Sequence, residues 1–195
     1  MFNTILNMYI TTFPIILSGI LNMIFTKTSI YKNLKKPIDC GKKMKDGKRI
    51  LGDNKTWIGF ISMSIICMFC QSIWGFVCYH LNIVNRNELY IYYENNFIFN
   101  LIVGFCFGFI YMLCELPNSF IKRRLDIKPG KTVNGLKGIF FFVFDQIDSL
   151  IGVFLLLSFL SSLTFNEYLS YILLGGKTHI TINLILYKLK IRRNL

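Results

Sequence analysis

Five apolar runs, each about 20 residues long, recur along this chain near positions 4–25, 57–81, 96–115, 139–163 and 168–187. A run of that length, wound as a helix, spans a hydrocarbon core about 30 Å thick. Inside a bilayer every backbone N–H and C=O must be satisfied within the protein, which leaves helices as the natural form for such runs. The chain therefore reads as an all-α integral membrane protein with five transmembrane helices, a single polytopic membrane domain over residues 1–195. Composition agrees: 53% hydrophobic residues with 19 Phe is too apolar for a soluble domain of 195 residues. No Lys or Arg precedes the first run, so it reads as an uncleaved anchor rather than a signal peptide.

Charge sets the expected orientation. The formal net charge is +12, and 20 of the 22 Lys and Arg fall in three places: Lys27 to Lys55, Lys122 to Lys137, and the stretch after Tyr187. With five spans, all three lie on one side. By the positive-inside rule that side is the cytoplasm, with the N-terminus outside and the C-terminus inside. Two long basic cytoplasmic loops, 26–56 and 117–138, follow from this arrangement, and the plasma membrane is the expected location. Orientation, anionic lipid headgroups and phosphate-rich substrates can each draw on such charge. Nucleic acid is excluded as a partner, because the basic segments are divided by membrane spans.

Asp145 and Asp148 break the fourth run. A carboxylate at a membrane centre costs roughly 2.5 to 3.5 kcal/mol on insertion scales. Three residues apart on a helix, the two share a face and would repel each other. A divalent cation between them resolves the conflict; a polar helix contact with one aspartate protonated is the alternative.

The first loop ends Gly47-Lys48-Arg49-Ile50-Leu51-Gly52-Asp53-Asn54-Lys55-Thr56, just before the second span. Gly47 and Gly52 can take positive φ and bring backbone N–H groups to an anion. Lys55 and Thr56 at a helix N-terminus suit phosphate; the alternative is a solvated turn that caps the helix. A Walker fold is rejected, since the first glycine of that motif and its preceding strand are missing. In the second loop Pro117 suits a helix end or first turn. Lys122, Arg123 and Arg124 beyond it can pair with phosphate oxygens or serve as a stop-transfer cluster. In the last span Lys177 is costly unless it meets an acid, a phosphate or the interface. Either Gly175-Gly176 kinks the helix and opens a polar cavity to it, or it pairs with an aspartate. His179 and Asn183, four apart, share a face. Gly104-x-x-x-Gly108 in the third span suits close helix packing. Cys67-x-x-Cys70 has ligand spacing, but its apolar surroundings suit small buried side chains better.

These segments carry a resemblance. Ser119-Phe120-Ile121-Lys122-Arg123-Arg124, then Lys128-Pro129-Gly130, then Asp145-Gln146-Ile147-Asp148 resemble the CTP-dependent lipid cytidylyltransferases. The small size, five spans, and the stretches Leu51 to Phe60 and Glu115 to Arg124 are closer to the CDP-archaeol synthase family. The similarity covers 37–60, 115–131 and 144–152, and more weakly 179–195. It implies transfer of CMP from CTP to a membrane lipid phosphate, in that family a geranylgeranylated glycerol phosphate ether, with Mg²⁺. By matched position it implies that Asp145 and Asp148 hold metal and that Lys122 and Arg123 bind phosphate. Asp53, Lys55 and Thr56 would then belong to the nucleotide site, with Asp46 and Arg49 nearby, and Asn118, Ser119 and Lys128 would bind substrate. Two features depart from the phosphatidate enzymes. Gln146 stands where they carry Arg, and Asn134 to Gly138 replaces a His-Gly-Gly stretch. A phosphatidate cytidylyltransferase and a small transporter using Asp145, Asp148 and Lys177 remain as other readings. A CDP-alcohol phosphotransferase does not, because only Asp46-Gly47 fits its pattern. A homodimer stays open.

Overall fold

The structure, a computed structural model, describes residues 2–131 and 133–190. Arg192 and Arg193, part of the expected C-terminal basic cluster, lie outside them. Five helices are long and apolar enough to cross a membrane: α1 (Phe2–Phe25), α3 (Trp57–His80), α5 (Phe97–Arg124), α6 (Leu136–Ser161) and α7 (Phe165–Lys188). Two short helices, α2 (Ser29–Leu34) and α4 (Glu88–Tyr92), sit in the connections. No strand forms among the described residues.

Local sequence explains where these helices start. Thr56 caps α3 by accepting from the Gly59 N–H at 3.2 Å, and Asn96 caps α5 through the Phe99 N–H at 2.8 Å. Thr164 and Glu167 form a reciprocal capping box on α7, which starts that helix three residues before the apolar run does.

The bundle is built around α3 and α5, with α1 on α3, α6 on α5 and α7 on α6. The two glycines of the third run make the central contact possible. A Cβ on Gly104 would stand 2.7 Å from the Cys67 carbonyl oxygen, and one on Gly108 would stand 2.6 Å from that of Met63. Only glycine lets these two helices approach so closely.

Two expectations are corrected here. Pro117 does not end its helix: α5 continues two further turns to Arg124. Proline removes one helical hydrogen bond and costs about 3 kcal/mol in a helix interior. Beyond it, side-chain contacts from Asn118 and Lys122 to α6 hold the extra turns in place. Glu115, Asn118, Ser119 and Lys122 thus share one helical face. Nor does Gly175-Gly176 interrupt α7. These glycines allow close packing on α6, where a Cβ on Gly175 would meet Leu150 at 2.9 Å and Phe154 at 3.0 Å. Lys177 is exposed, lines neither of the two cavities described below and pairs with no aspartate among the described residues.

Candidate active site

The first basic loop folds on a single buried acid, Asp39. Its side chain is 1% exposed. It accepts from Arg49 Nη2 at 2.6 Å, from Arg49 Nε at 3.2 Å, and from the backbone N–H groups of Gly41, Leu51 and Gly52 at 3.0–3.1 Å. Burial alone would raise the Asp39 carboxyl. The Arg49 guanidinium and the three amides outweigh it and hold the group well below the usual carboxylate range. The partner effect runs the other way for Arg49, which the Asp39 and Asp53 carboxylates raise despite its desolvation.

Arg49 also donates to Asp53 at 2.8 Å. Lys48 donates to Asp126 at 2.6 Å and to the Arg124 carbonyl at 2.9 Å, while Arg124 reaches back to Asp46 and the Arg49 carbonyl. The loop is therefore latched onto the end of α5. Gly47 and Gly52 both take positive φ, +76° and +105°. Gly52 passes so near Pro129 that a Cβ would stand 2.9 Å from its Cγ.

A depressed pKa stabilises from the unfolded value near 3.9 upward and is lost only as pH falls through the lower folded value. The Asp39 knot should therefore hold evenly from pH 5 to 8. Asp39→Asn removes the charge that three amides and a guanidinium share, and bonds to charged groups contribute about 1.5–3 kcal/mol each. Limited trypsin cleavage between Lys42 and Arg49 should accelerate at least tenfold in that variant; an unchanged rate would contradict this role.

The latched loop, α1, α3, the end of α5 and α6 enclose a cavity of about 510 Å³. Its wall includes Lys55, Thr56, Asn118, Ser119, Lys122, Arg123, Lys128, Asp145 and Asp148. Asp46, Arg49 and Asp53 do not reach it; they hold the loop that forms its rim. Sequence reasoning passed over Lys27, Tyr31, Asn54, Glu115 and Lys131, which also line it, and left His179, a further wall residue, without a role.

Deep in the cavity the two aspartates converge on one atom. Asn118 Nδ2 donates to Asp145 Oδ1 and to Asp148 Oδ2, at 2.6 Å each. The Ser149 N–H donates to Asp148 Oδ1 at 2.7 Å, and the Lys122 ammonium is ion-paired with Asp145. Asp148 is 8% exposed. On the facing wall Lys55 is ion-paired with Glu115. Desolvation would lower the Lys55 ammonium, but Glu115, with Asp148 and Asp145 behind it, outweighs that and raises it. Thr56 is buried, its hydroxyl 2.9 Å from that of Tyr31. Arg123 is buried too, with Nη1 lacking a hydrogen-bond partner. An unpaired buried guanidinium nitrogen in a cavity wall is suited to an anion.

The donor set suits Mg²⁺. Hard divalent cations take oxygen ligands, and Mg²⁺ is commonly held by one or two carboxylates together with substrate phosphates. Asn118 Oδ1 is buried without a hydrogen-bond partner, a further oxygen beside the pair. No third His, Cys, Asp or Glu completes a ligand cluster among the described residues.

The helix carrying the aspartates is fixed from behind by α7. Asn183 Nδ2 donates to Gln146 Oε1 at 2.7 Å, and His179 Nδ1 lies 3.1 Å from the Gln146 carbonyl oxygen. A carbonyl only accepts, so that nitrogen carries the proton. Gln146 thus ties α6 to α7 between the two aspartates.

The sequence model of the CarS-like CDP-archaeol synthase family matches residues 2–194. This chain belongs to the CDP-archaeol synthase family. A CDP-archaeol synthase of Sulfurisphaera tokodaii is 31% identical over 158 residues, 80% of this chain and 79% of that protein. One of Methanosarcina barkeri is 31% identical over 176 residues, 81% and 89% of the two chains. The fold is shared with a solved intramembrane enzyme of archaeal membrane lipid biosynthesis, at TM-score 0.57 and 20% identity over 90% of this chain and 92% of that one. This CDP-archaeol synthase family member is accordingly a multi-pass membrane protein and an enzyme, a cytidylyltransferase.

Proposed function

We propose that this protein transfers CMP from CTP to the phosphate of an isoprenoid ether lipid, giving CDP-archaeol and pyrophosphate in membrane lipid biosynthesis. Family membership supports the reaction. The observation that carries it to this chain is the cavity itself, where a paired acid site and six basic side chains, Lys27, Lys55, Lys122, Arg123, Lys128 and Lys131, meet on one wall system.

An oxygen of the lipid phosphate attacks the α-phosphorus of CTP. One P–O bond forms there, the bond to the β-phosphate oxygen breaks, and pyrophosphate leaves. Two anions must approach each other, so catalysis consists of positioning and charge neutralisation. No general base is required, because a phosphate monoester is largely dianionic above its second pKa of about 6. Asp145 and Asp148 would hold Mg²⁺, which supplies Lewis-acid stabilisation of the phosphoryl oxygens. Lys122, ion-paired with Asp145 in the same wall, would also offer its ammonium to phosphate oxygens bound beside the aspartates. Arg123 Nη1, Lys55 and Lys128 offer the remaining donors. Asn118 keeps both carboxylates aimed at one point.

The basic loops support a reading in which this cavity opens at the cytoplasmic face of the plasma membrane, with the N-terminus outside and the C-terminus inside. Soluble CTP then meets a lipid whose chains stay in the bilayer. Every proposed site residue comes from one chain, so a homodimer is compatible with the reading without contributing to it.

The test offers purified protein CTP and Mg²⁺ with two acceptors in parallel, digeranylgeranylglyceryl phosphate and phosphatidic acid, and weighs the lipid products. The isoprenoid ether should gain CMP at least tenfold faster. Product from phosphatidic acid alone would keep the chemistry and overturn the substrate.

A further inference from the structure

A second space adjoins the catalytic cavity. It is an apolar groove between α1, α6 and α7, walled by Ile15, Ile16, Phe154, Leu174 and Leu186. Gly19, Met23, Tyr111 and His179 line both spaces, so these four residues form the boundary, or throat, where groove and polar cavity adjoin. The two outer helices flank this groove rather than pack on each other, since α1 rests chiefly on α3 and α7 on α6. Near its outer edge an exposed hydrogen bond bridges them, Tyr9 Oη to Thr178 Oγ1 at 3.0 Å.

Gly19 is the unusual element. Gly104, Gly108 and Gly175 each lie where a Cβ would collide with a neighbouring helix. A Cβ on Gly19 would meet nothing within 4 Å. Its backbone is ordinary α-helix, so no positive φ requires glycine. Glycine inside a helix costs about 1 kcal/mol relative to alanine. Neither packing nor backbone conformation accounts for it; what the missing side chain leaves is open width in the throat. On the opposite side the His179 ring is fixed through Nδ1 on the Gln146 carbonyl, at the boundary between apolar wall and phosphate-binding cavity.

We propose that Gly19 is a specificity-determining residue for the lipid acceptor: one methyl-branched chain lies in the α1–α7 groove, passes the throat between Gly19 and His179, and presents its phosphate to the aspartates. This rests on the lipid-phosphate cytidylyltransferase reading above. The groove shares four wall residues with the catalytic cavity and lies between membrane-spanning helices, so a chain in it would have its phosphate end beside the polar site. A methyl-branched chain is wider than a straight one and needs the width that glycine leaves.

The test compares wild type, Gly19→Ala and Gly19→Leu in nanodiscs, with kinetics measured separately in CTP and in digeranylgeranylglyceryl phosphate. Gly19→Leu should lower kcat/KM for the lipid at least 30-fold. CTP binding measured without acceptor should change far less than the lipid kcat/KM. An acceptor with chains of five carbons or fewer should lose far less in Gly19→Leu than the long-chain lipid, because little of it can enter the groove. Gly19→Ala adds one methyl to open space, so it folds as wild type does and should show about a threefold loss with the long-chain lipid only. Unchanged lipid kinetics in both variants would overturn the proposal, as would equal losses with long and short acceptors. If wild type itself transferred no CMP to any lipid phosphate, the functional reading would fail instead.

Discussion

Asp148→Asn is expected to lower turnover at least a thousandfold while the protein still inserts and folds. The substitution preserves shape and removes charge. Asp148 is buried and accepts from two fixed donors, Asn118 Nδ2 and the Ser149 N–H. An asparagine offers one oxygen where those donors now find two, so one hydrogen bond is lost, worth about 1 kcal/mol net. That is too little to unfold a five-helix bundle. The catalytic loss is larger, because half of the negative charge available to Mg²⁺ disappears; a thousandfold corresponds to about 4 kcal/mol in the barrier. Asp145→Asn should be as damaging, since it also deprives Lys122 of its ion-pair partner. Thermal unfolding and single-turnover kinetics with saturating CTP separate the two effects. A rate within tenfold of wild type in either folded variant would remove that aspartate from the site.

The second large effect is expected at the Lys55–Glu115 pair. Glu115→Leu leaves the Lys55 ammonium in the cavity wall without its counter-ion. Breaking a fully buried pair costs about 3–5 kcal/mol. Here the side chains retain 18% and 21% exposure, and two further carboxylates lie beyond, so the cost is smaller, about 2 kcal/mol. The melting temperature should fall by several degrees. Adding Lys55→Met to that variant should restore most of the stability and none of the activity, because the ammonium is no longer stranded but a phosphate-binding charge is gone. Equal activity in the double variant and wild type would exclude Lys55 from the nucleotide site. A raised ammonium pKa contributes stability below the unfolded value near 10.4 and loses it only as pH rises through the higher folded value. The pair's contribution should therefore be constant between pH 6 and 9.

Much of this was legible in the residues, for identifiable reasons. The five spans rest on run length, which the bilayer fixes, and their number matches five helices in the structure. Close packing at Gly104 and Gly108 was legible, because a missing Cβ is visible in sequence; that α3 is the helix packed there was not. Asp145 and Asp148 stood out against apolar neighbours. What stayed hidden depends on tertiary partners. Asp39 drew no reading, since nothing local marks it as the acceptor of three amides and Arg49. Glu115 gains its meaning from Lys55, 60 residues earlier. Asp46, Arg49 and Asp53 were read as substrate residues from motif proximity, while the fold spends their charges on one another and on the end of α5. Helix α5 runs through Pro117 because long-range contacts outweigh a local propensity. Gly19 carried no signal, since open space has no sequence signature.

The most direct measurement follows the phosphorus atoms. Purified protein in nanodiscs with Mg²⁺ and digeranylgeranylglyceryl phosphate is given CTP labelled with ³²P at either the α- or the γ-phosphate. Cytidylyl transfer predicts that α-label enters the organic-extractable lipid and γ-label appears only as pyrophosphate, in equal amounts. γ-label in the lipid, or pyrophosphate release without lipid labelling, would contradict the reaction assigned to the cavity of Asp145, Asp148 and Lys122.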